Sequence, residues 1–309
     1  MNYMPRNPHG FTYASVLADS QRVSWRIEDI IGGAHRLDFA KPFLPESLAR
    51  TAALDFLDAD EKLKLNHIRA GGYLHAFGLI EAFILPFVLE HAQPMPAQDD
   101  LRTLALLGFA MEAAKHIQLF RAFDREFEAG FGTACDRIGP SEAFGKAVQT
   151  HNPLSVALLI LQAEWMTQRH YLESTREARA LDEPFRSLLR HHWLEEAQHA
   201  QLDTLMVETL ADGLSAAEID AAVDDYLEID FLLDGALRQQ AALDLDALQR
   251  ATGRRFDRLE GERIVAVQRQ AMRWTYLGSG MSHPSFLGAV NQIAPARAAW
   301  LAEAALAFV

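Results

Sequence analysis

Two apolar helical stretches of this chain each carry one glutamate at their centre. The first reads Leu74-His75-Ala76-Phe77-Gly78-Leu79-Ile80-Glu81-Ala82-Phe83-Ile84-Leu85. The second reads Ala157-Leu158-Leu159-Ile160-Leu161-Gln162-Ala163-Glu164-Trp165-Met166. A carboxylate flanked by apolar residues on every side of a helix is costly to bury unless it is paired or coordinated. Each of these glutamates is followed, one helical hairpin later, by a Glu with a His. Glu112 stands 31 residues after Glu81, and Glu196 stands 32 residues after Glu164. A match in both spacing and chemistry reads as an internal duplication. The longer gap from Glu112 to Glu164 fits one crossover joining two hairpins.

The second half of the duplication is the fuller one. In His191-His192-Trp193-Leu194-Glu195-Glu196-Ala197-Gln198-His199, the residues His192, Glu196 and His199 fall at offsets of −4, 0 and +3. On an α-helix those offsets share one face. Two imidazoles and a carboxylate on one stripe form half a site for a first-row transition metal. The first half departs from this pattern. In Met111-Glu112-Ala113-Ala114-Lys115-His116, the position matching Glu196 holds Ala113, and the available Glu112 is four residues before His116. Glu112 and His116 still share a face, and a π-bulge would bring both into one coordination sphere. Without one, this half lacks a ligand. The plainer readings are a satisfied core carboxylate for Glu81 and a solvated stripe for His192, Glu196, His199 and Asp203. His67, His75, His91, His151, His170 and His191 read as structural or surface residues, and Trp165 and Trp193 as packing.

The remainder of the chain reads as helix. Asp58 and Glu61 signal a helix start, with the helix running through Glu81 toward His91 and kinked at Pro86. Pro94 and Pro96 mark a loop. A second helix covers about Asp99 to Glu128, and Gly130, Gly132 and Gly139-Pro140 mark a break. A short helix over Ser141 to Thr150 follows. Asn152-Pro153 opens a helix to about Ala180, and Asp182-Glu183-Pro184 opens another to about Leu210. Further helices cover Ser215 to Gln249, Glu260 to Leu277 and Phe286 to Phe308. Residues 1–57 form an arm broken by Pro5, Pro8, Pro42 and Pro45, with Trp25 to Ile31 its best periodic piece. No stretch alternates with period two, so no sheet is expected. The expectation is one domain over 1–309, with a metal-binding core at 58–210 and additional helices at 211–309.

Composition narrows the partners. A net charge of −13 argues against nucleic acid and against an anionic membrane surface. Cys135 is the single cysteine, which excludes an intrachain disulfide and a thiolate cage and suits a reducing cytoplasm. The stretch Ala76 to Leu89 is interrupted by Glu81 and too short to span a bilayer. No nucleotide fingerprint is present, and Gly278-x-Gly280 reads as a loop turn.

Over roughly residues 60–210 these motifs resemble the ferritin-like di-iron carboxylate superfamily. His192-x-x-x-Glu196-x-x-His199, together with Leu119-Phe120, is similar to the p-aminobenzoate N-oxygenase family, which adds a seventh ligand at the position of His192. The resemblance implies an all-α fold: a ferritin-like four-helix bundle with flanking helices. It implies a non-haem di-iron monooxygenase with ligands Glu81, Glu112, His116, Glu164, His192, Glu196 and His199. Two iron ions, with manganese or a mixed pair as alternatives, would activate O₂ using an external reductase or other electron donor. The substrate it implies is a small amine, oxidised to a hydroxylamine, nitroso or nitro product, in a biosynthetic setting. Phe77, Phe83, Phe109, Phe120 and Met166 are candidates to line a pocket. Another di-metal oxidase or hydroxylase, and a non-catalytic helical protein with a degenerate site, stay open beside this reading. A homodimer is the base-rate expectation.

Overall fold

The structure is a computed structural model and describes residues 9–93, 100–139 and 141–308. The loop expected at Pro94 and Pro96, the helix start at Asp99, and Pro5, Pro8 and Pro140 lie outside the described residues. The described residues are helical, with no strand; an isolated bridge pairs Gly32 with His35. In chain order the helices are α1 (Tyr13–Ser20), α2 (Glu46–Ala49), α3 (Ala59–His91), α4 (Asp100–Phe131), α5 (Ser141–Gln149) and α6 (Pro153–Arg169). They continue with α7 (Glu183–Ala211), α8 (Ala216–Thr252), α9 (Arg258–Arg273), α10 (Ser279–Met281), α11 (Pro284–Ile293) and α12 (Pro295–Ala305).

The helix starts follow from local chemistry. Asp58 accepts from the Glu61 amide while Glu61 reaches back to the Asp58 amide, closing a capping box on α3. Asn152 caps α6 with Pro153 in its first turn, and Asp182 caps α7 with Pro184 in its first turn. Ser215 and Glu218 close a box on α8, which ends at Gly253 with φ 68°, the left-handed conformation glycine adopts without a Cβ clash.

Helices α3 and α4 pack as one hairpin, and α6 and α7 as a second, with α4 lying against α7. The crossover between the hairpins carries α5, which rests on α3 and α6. This is the ferritin-like connectivity. Helix α8 covers α3 and α6, α9 covers α8, and α1 lies on α4 and α7. One apolar cluster runs from Val16 in the arm to Phe308 near the end of the chain.

Several expectations are corrected. The helix expected to reach Ala180 ends at Arg169 and passes into a π-helical turn over His170–Thr175. A second π-turn, Trp274–Gly278, interrupts the helix expected to run to Leu277. The last expected helix is two, α11 and α12, because Pro295 cannot continue the first. Gly278 and Gly280 are not a loop turn. They lie in consecutive helical turns, where a Cβ on Gly280 would collide with the Gln162 carbonyl and one on Gly278 would crowd the Phe308 carbonyl. In the arm, the helices are Tyr13–Ser20 and Glu46–Ala49, with 3₁₀ turns at Ile27–Asp29 and Thr51–Ala53. By length and composition α3 alone among the described helices could cross a membrane, and half of that apolar window is buried inside the protein.

Candidate metal centre

Each core helix delivers a polar side chain to one buried place: Glu81 from α3, His116 from α4, Glu164 from α6, and His192, Glu196 and His199 from α7. Glu81 and Glu164 are each 3% exposed, so both lone glutamates point inward. Two groups of donor atoms, each within 4.8 Å of one another, form there: Glu81, His116, His192 and Glu196, and then Glu164, Glu196 and His199. Glu196 belongs to both. Its Oε1 lies 3.0 Å from His116 Nδ1 and 2.7 Å from His192 Nε2, while its Oε2 lies 3.0 Å from His199 Nδ1. Glu81 Oε1 completes the first group, 3.0 Å from His116 Nδ1 and 3.2 Å from His192 Nε2.

Glu112 is outside both groups. Its Oε2 accepts from His199 Nε2 at 2.7 Å and Gln198 Nε2 at 2.8 Å, and its Oε1 accepts from Ser20 Oγ at 2.7 Å. Helix α4 is regular through this stretch, without the π-bulge that would move Glu112 inward. Its counterpart is Glu195, which sequence reasoning missed. Glu112 precedes His116 by four residues, and Glu195 precedes His199 by four. The two carboxylates cross over. Glu112 accepts from the imidazole of α7, and Glu195 accepts from His116 Nε2 of α4 at 2.8 Å. Each of those imidazoles therefore turns Nε2 outward to a carboxylate and Nδ1 inward to Glu196. The signal was present in sequence as the doubled Glu195-Glu196, whose first member aligns with Glu112.

The two halves differ at two further matched positions. Ala113 stands where the other half has Glu196, and Phe109 stands where it has His192, each seven residues before the hairpin's histidine. Phe109 stacks on His199 at 3.9 Å between ring centres, and His192 meets His116 edge-on at 4.6 Å.

Electrostatics follow from this crowding. Burial opposes charge on the imidazoles, but Glu81 and Glu196 outweigh it and hold His116 well above the usual range. Against the same burial, Glu196 raises His192, and Glu196 with Glu112 raises His199 to about 10. Glu196 is buried too, yet His192 and His199 pull its carboxyl well below the usual value. Burial and the neighbouring Glu196 push Glu164 well above it. Asp203, one turn beyond His199, is raised by burial, with the pull of His199 outmatched. Six carboxyl groups thus face three imidazoles and the Lys115 ammonium.

The donor set fits divalent cations better than protons. Glu164 Oε2, Glu196 Oε1 and Asp203 Oδ2 are buried without a hydrogen-bond partner among the described residues. His116 and His192 approach Glu196 Oε1 closely, yet it makes no well-directed hydrogen bond. Convergent lone pairs of this kind suit a metal ion. Carboxylates with imidazoles favour iron, manganese or zinc over calcium or magnesium.

The surroundings close the cluster. Trp25 of the arm stacks parallel to His116 at 6.1 Å, and the Lys115 ammonium sits over the Trp25 ring at 3.8 Å while pairing with Glu195. Lys115 therefore stands on the outer carboxylate, away from the shared Glu196. Phe77 and Phe120 meet His192 edge-on. Phe83 and Met166 instead line an apolar cavity of about 220 Å³. That cavity touches Ala76, Leu79 and Ile80 of α3 and Gln162 and Ala163 of α6. At 100° per residue these lie 100–160° around their helices from Glu81 and Glu164. The other histidines are engaged elsewhere. His67, His75 and His91 bond the carbonyls of Lys41, Ile138 and Phe87, and His151, His170 and His191 bond Asp225, Ser279 and the Ser187 carbonyl. Trp193 stacks on Tyr171, and Trp165 on His283.

No protein-family model matches the sequence, and no curated protein matches it. Among solved structures, two variants of an R2-like ligand-binding oxidase with reconstituted Mn/Fe cofactors are similar to it. Each shares 12% identity at a TM-score of 0.47, and the overlap covers 85% and 86% of this chain and 93% and 94% of theirs. The case for a metal centre rests on the side chains themselves.

Proposed function

We propose that this protein is an oxygenase holding two iron ions between its core helices and acting on a small amine. Glu81, His116, His192 and Glu196 would surround one ion, and Glu164, Glu196 and His199 the other. The observation that carries this reading is Glu196, one carboxylate shared by two donor groups. Iron in such a site, once reduced by an external donor, supplies electrons to O₂. Manganese, or one ion of each metal, suits the same ligands.

The protein's own residues do the remainder. Glu112 and Glu195 hold His199 and His116 with Nδ1 inward, which fixes ring orientation and raises ligand basicity. In this reading Glu112 orients a ligand and is not one. His192 supplies the donor that Ala113 withholds, giving one ion a second imidazole and leaving the pair unequal. Trp25, Phe77, Phe109 and Phe120 exclude water from the donors. Oxygenation at nitrogen is supported by the likeness of His192-x-x-x-Glu196-x-x-His199 to the amine N-oxygenases.

The test is metal analysis followed by single turnover. Reconstituted protein is expected to hold two irons per chain. After reduction it should transfer ¹⁸O from ¹⁸O₂ to the nitrogen of an arylamine such as 4-aminobenzoate. Fewer than one metal per chain refutes the centre. Uptake of O₂ with label only on carbon, or in water, refutes the amine assignment.

A further inference from the structure

The cavity of about 220 Å³ between α3, α6 and α8 has walls of hydrocarbon and rings. Ile80 and Phe83 come from α3, Leu159 and Met166 from α6, Leu237 from α8 and Phe144 from α5. Protein interiors leave few voids larger than a water molecule, so a space of this size is one the side chains have not closed. The rim reaches Gly139, Ala143 and Gln239, all exposed, and the cavity opens to solvent there. Leu232, one turn of α8 before the lining residue Ala236, is 61% exposed and carries the apolar surface beyond the lining.

The polar side chains in the inner walls make their hydrogen bonds elsewhere. Gln162 Nε2 donates to Asp230 Oδ1 and to the Tyr276 carbonyl, each at 3.3 Å, and Gln162 Oε1 accepts from the Tyr226 hydroxyl. Tyr276 contributes its ring, while its hydroxyl turns to the Arg69 guanidinium behind the wall. A water molecule inside would need two to four polar partners, which these walls do not supply. A charged group would lose its hydration with nothing in return. The occupant is therefore uncharged and apolar.

Size and lining narrow it further. A 150 Å³ apolar cavity takes benzene, so this one takes a fused pair of rings of about nine or ten heavy atoms. Phe83 and Phe144 meet edge-on at 6.0 Å, and with the Tyr276 ring and the Met166 thioether they present partners for aromatic faces and edges. We propose that this cavity binds one uncharged bicyclic aromatic molecule of the size of indole, entering past Gly139, Ala143 and Gln239. No donor of the metal cluster lines the cavity. Its occupancy is independent of the oxygenase reading.

The test is calorimetric titration of the full chain, metal-loaded and metal-free, with indole, indole-3-carboxylate and tryptamine. One indole should bind per chain in both forms, and the anionic and cationic relatives should bind at least tenfold more weakly. Ala236→Phe fills the cavity from α8, a helix without a metal donor, and should weaken indole at least tenfold with metal content unchanged. Ala76→Phe fills the same space from α3 and serves as the second variant should Ala236→Phe fail to fold. Equal affinity for indole and either charged relative, no saturable binding at millimolar indole, or full binding by a folded blocking variant overturns the proposal.

Discussion

Metal loading should expel protons, and the number is set by the cluster. In the metal-free protein the neighbouring carboxylates hold His116, His192 and His199 above the ordinary imidazole range, His199 at about 10, and burial raises Glu164 well above the ordinary carboxylate range. Each must lose its proton to bind an ion through the inward-facing atom, since only the deprotonated forms are ligands. With all three imidazoles raised, two divalent ions bound at pH 6.5 should release about two protons per chain or more. The linkage also fixes the pH dependence. Apparent affinity for the pair should rise about a hundredfold or more per pH unit between pH 6 and 7. The assay is Mn²⁺ or Fe²⁺ titration in lightly buffered indicator under anaerobic conditions, repeated calorimetrically in buffers of different ionisation enthalpy. Release of fewer than one proton per chain, with two ions bound, would show that the imidazoles are not the ligands.

Three further outcomes are expected. Glu112→Gln and Glu195→Gln should each retain two metals per chain with affinity lowered roughly 10- to 100-fold, whereas Glu196→Ala should lose both; metal analysis reads this, and a single ion in Glu112→Gln would make Glu112 a ligand. Burial and the adjacent Arg169 push His170 down to about 3. The unfolded chain takes up a proton near pH 6.5 that the fold refuses, so this contribution is complete above that pH and is lost as pH falls toward 3. By pH 5 the loss is about 2 kcal/mol, and urea titration of His170→Gln should show a smaller fall between pH 7.5 and 5. Gly280→Ala drives a methyl into the Gln162 carbonyl and should cost roughly 1–3 kcal/mol by denaturant unfolding; an unchanged midpoint would mean α10 moves away freely.

The centre was legible because buried carboxylates on apolar helices are conspicuous. Glu81 and Glu164 stand where a carboxylate needs a partner, and their matched spacing to the next helix gave the hairpins. Glu112 was harder. A residue four positions before a histidine can face the ion or reach across to the opposite imidazole, and helical periodicity does not separate the two. Phe109 and Ala113, the differences that make the halves unequal, are ordinary core residues on their own. The arm was opaque for another reason. Ser20 and Trp25 act on residues about ninety positions away, and no local pattern encodes such a partner. The π-turns at His170 and Trp274 likewise depend on tertiary packing.

Ser20, held to Glu112, and Trp25, laid over His116, precede both core hairpins in the sequence. The histidines they help enclose are made much later, His199 last of all. During synthesis the arm has nothing to close upon until both hairpins have assembled. With both hairpins assembled, Ser20 and Trp25 cover the outer faces of Glu112 and His116 on that side.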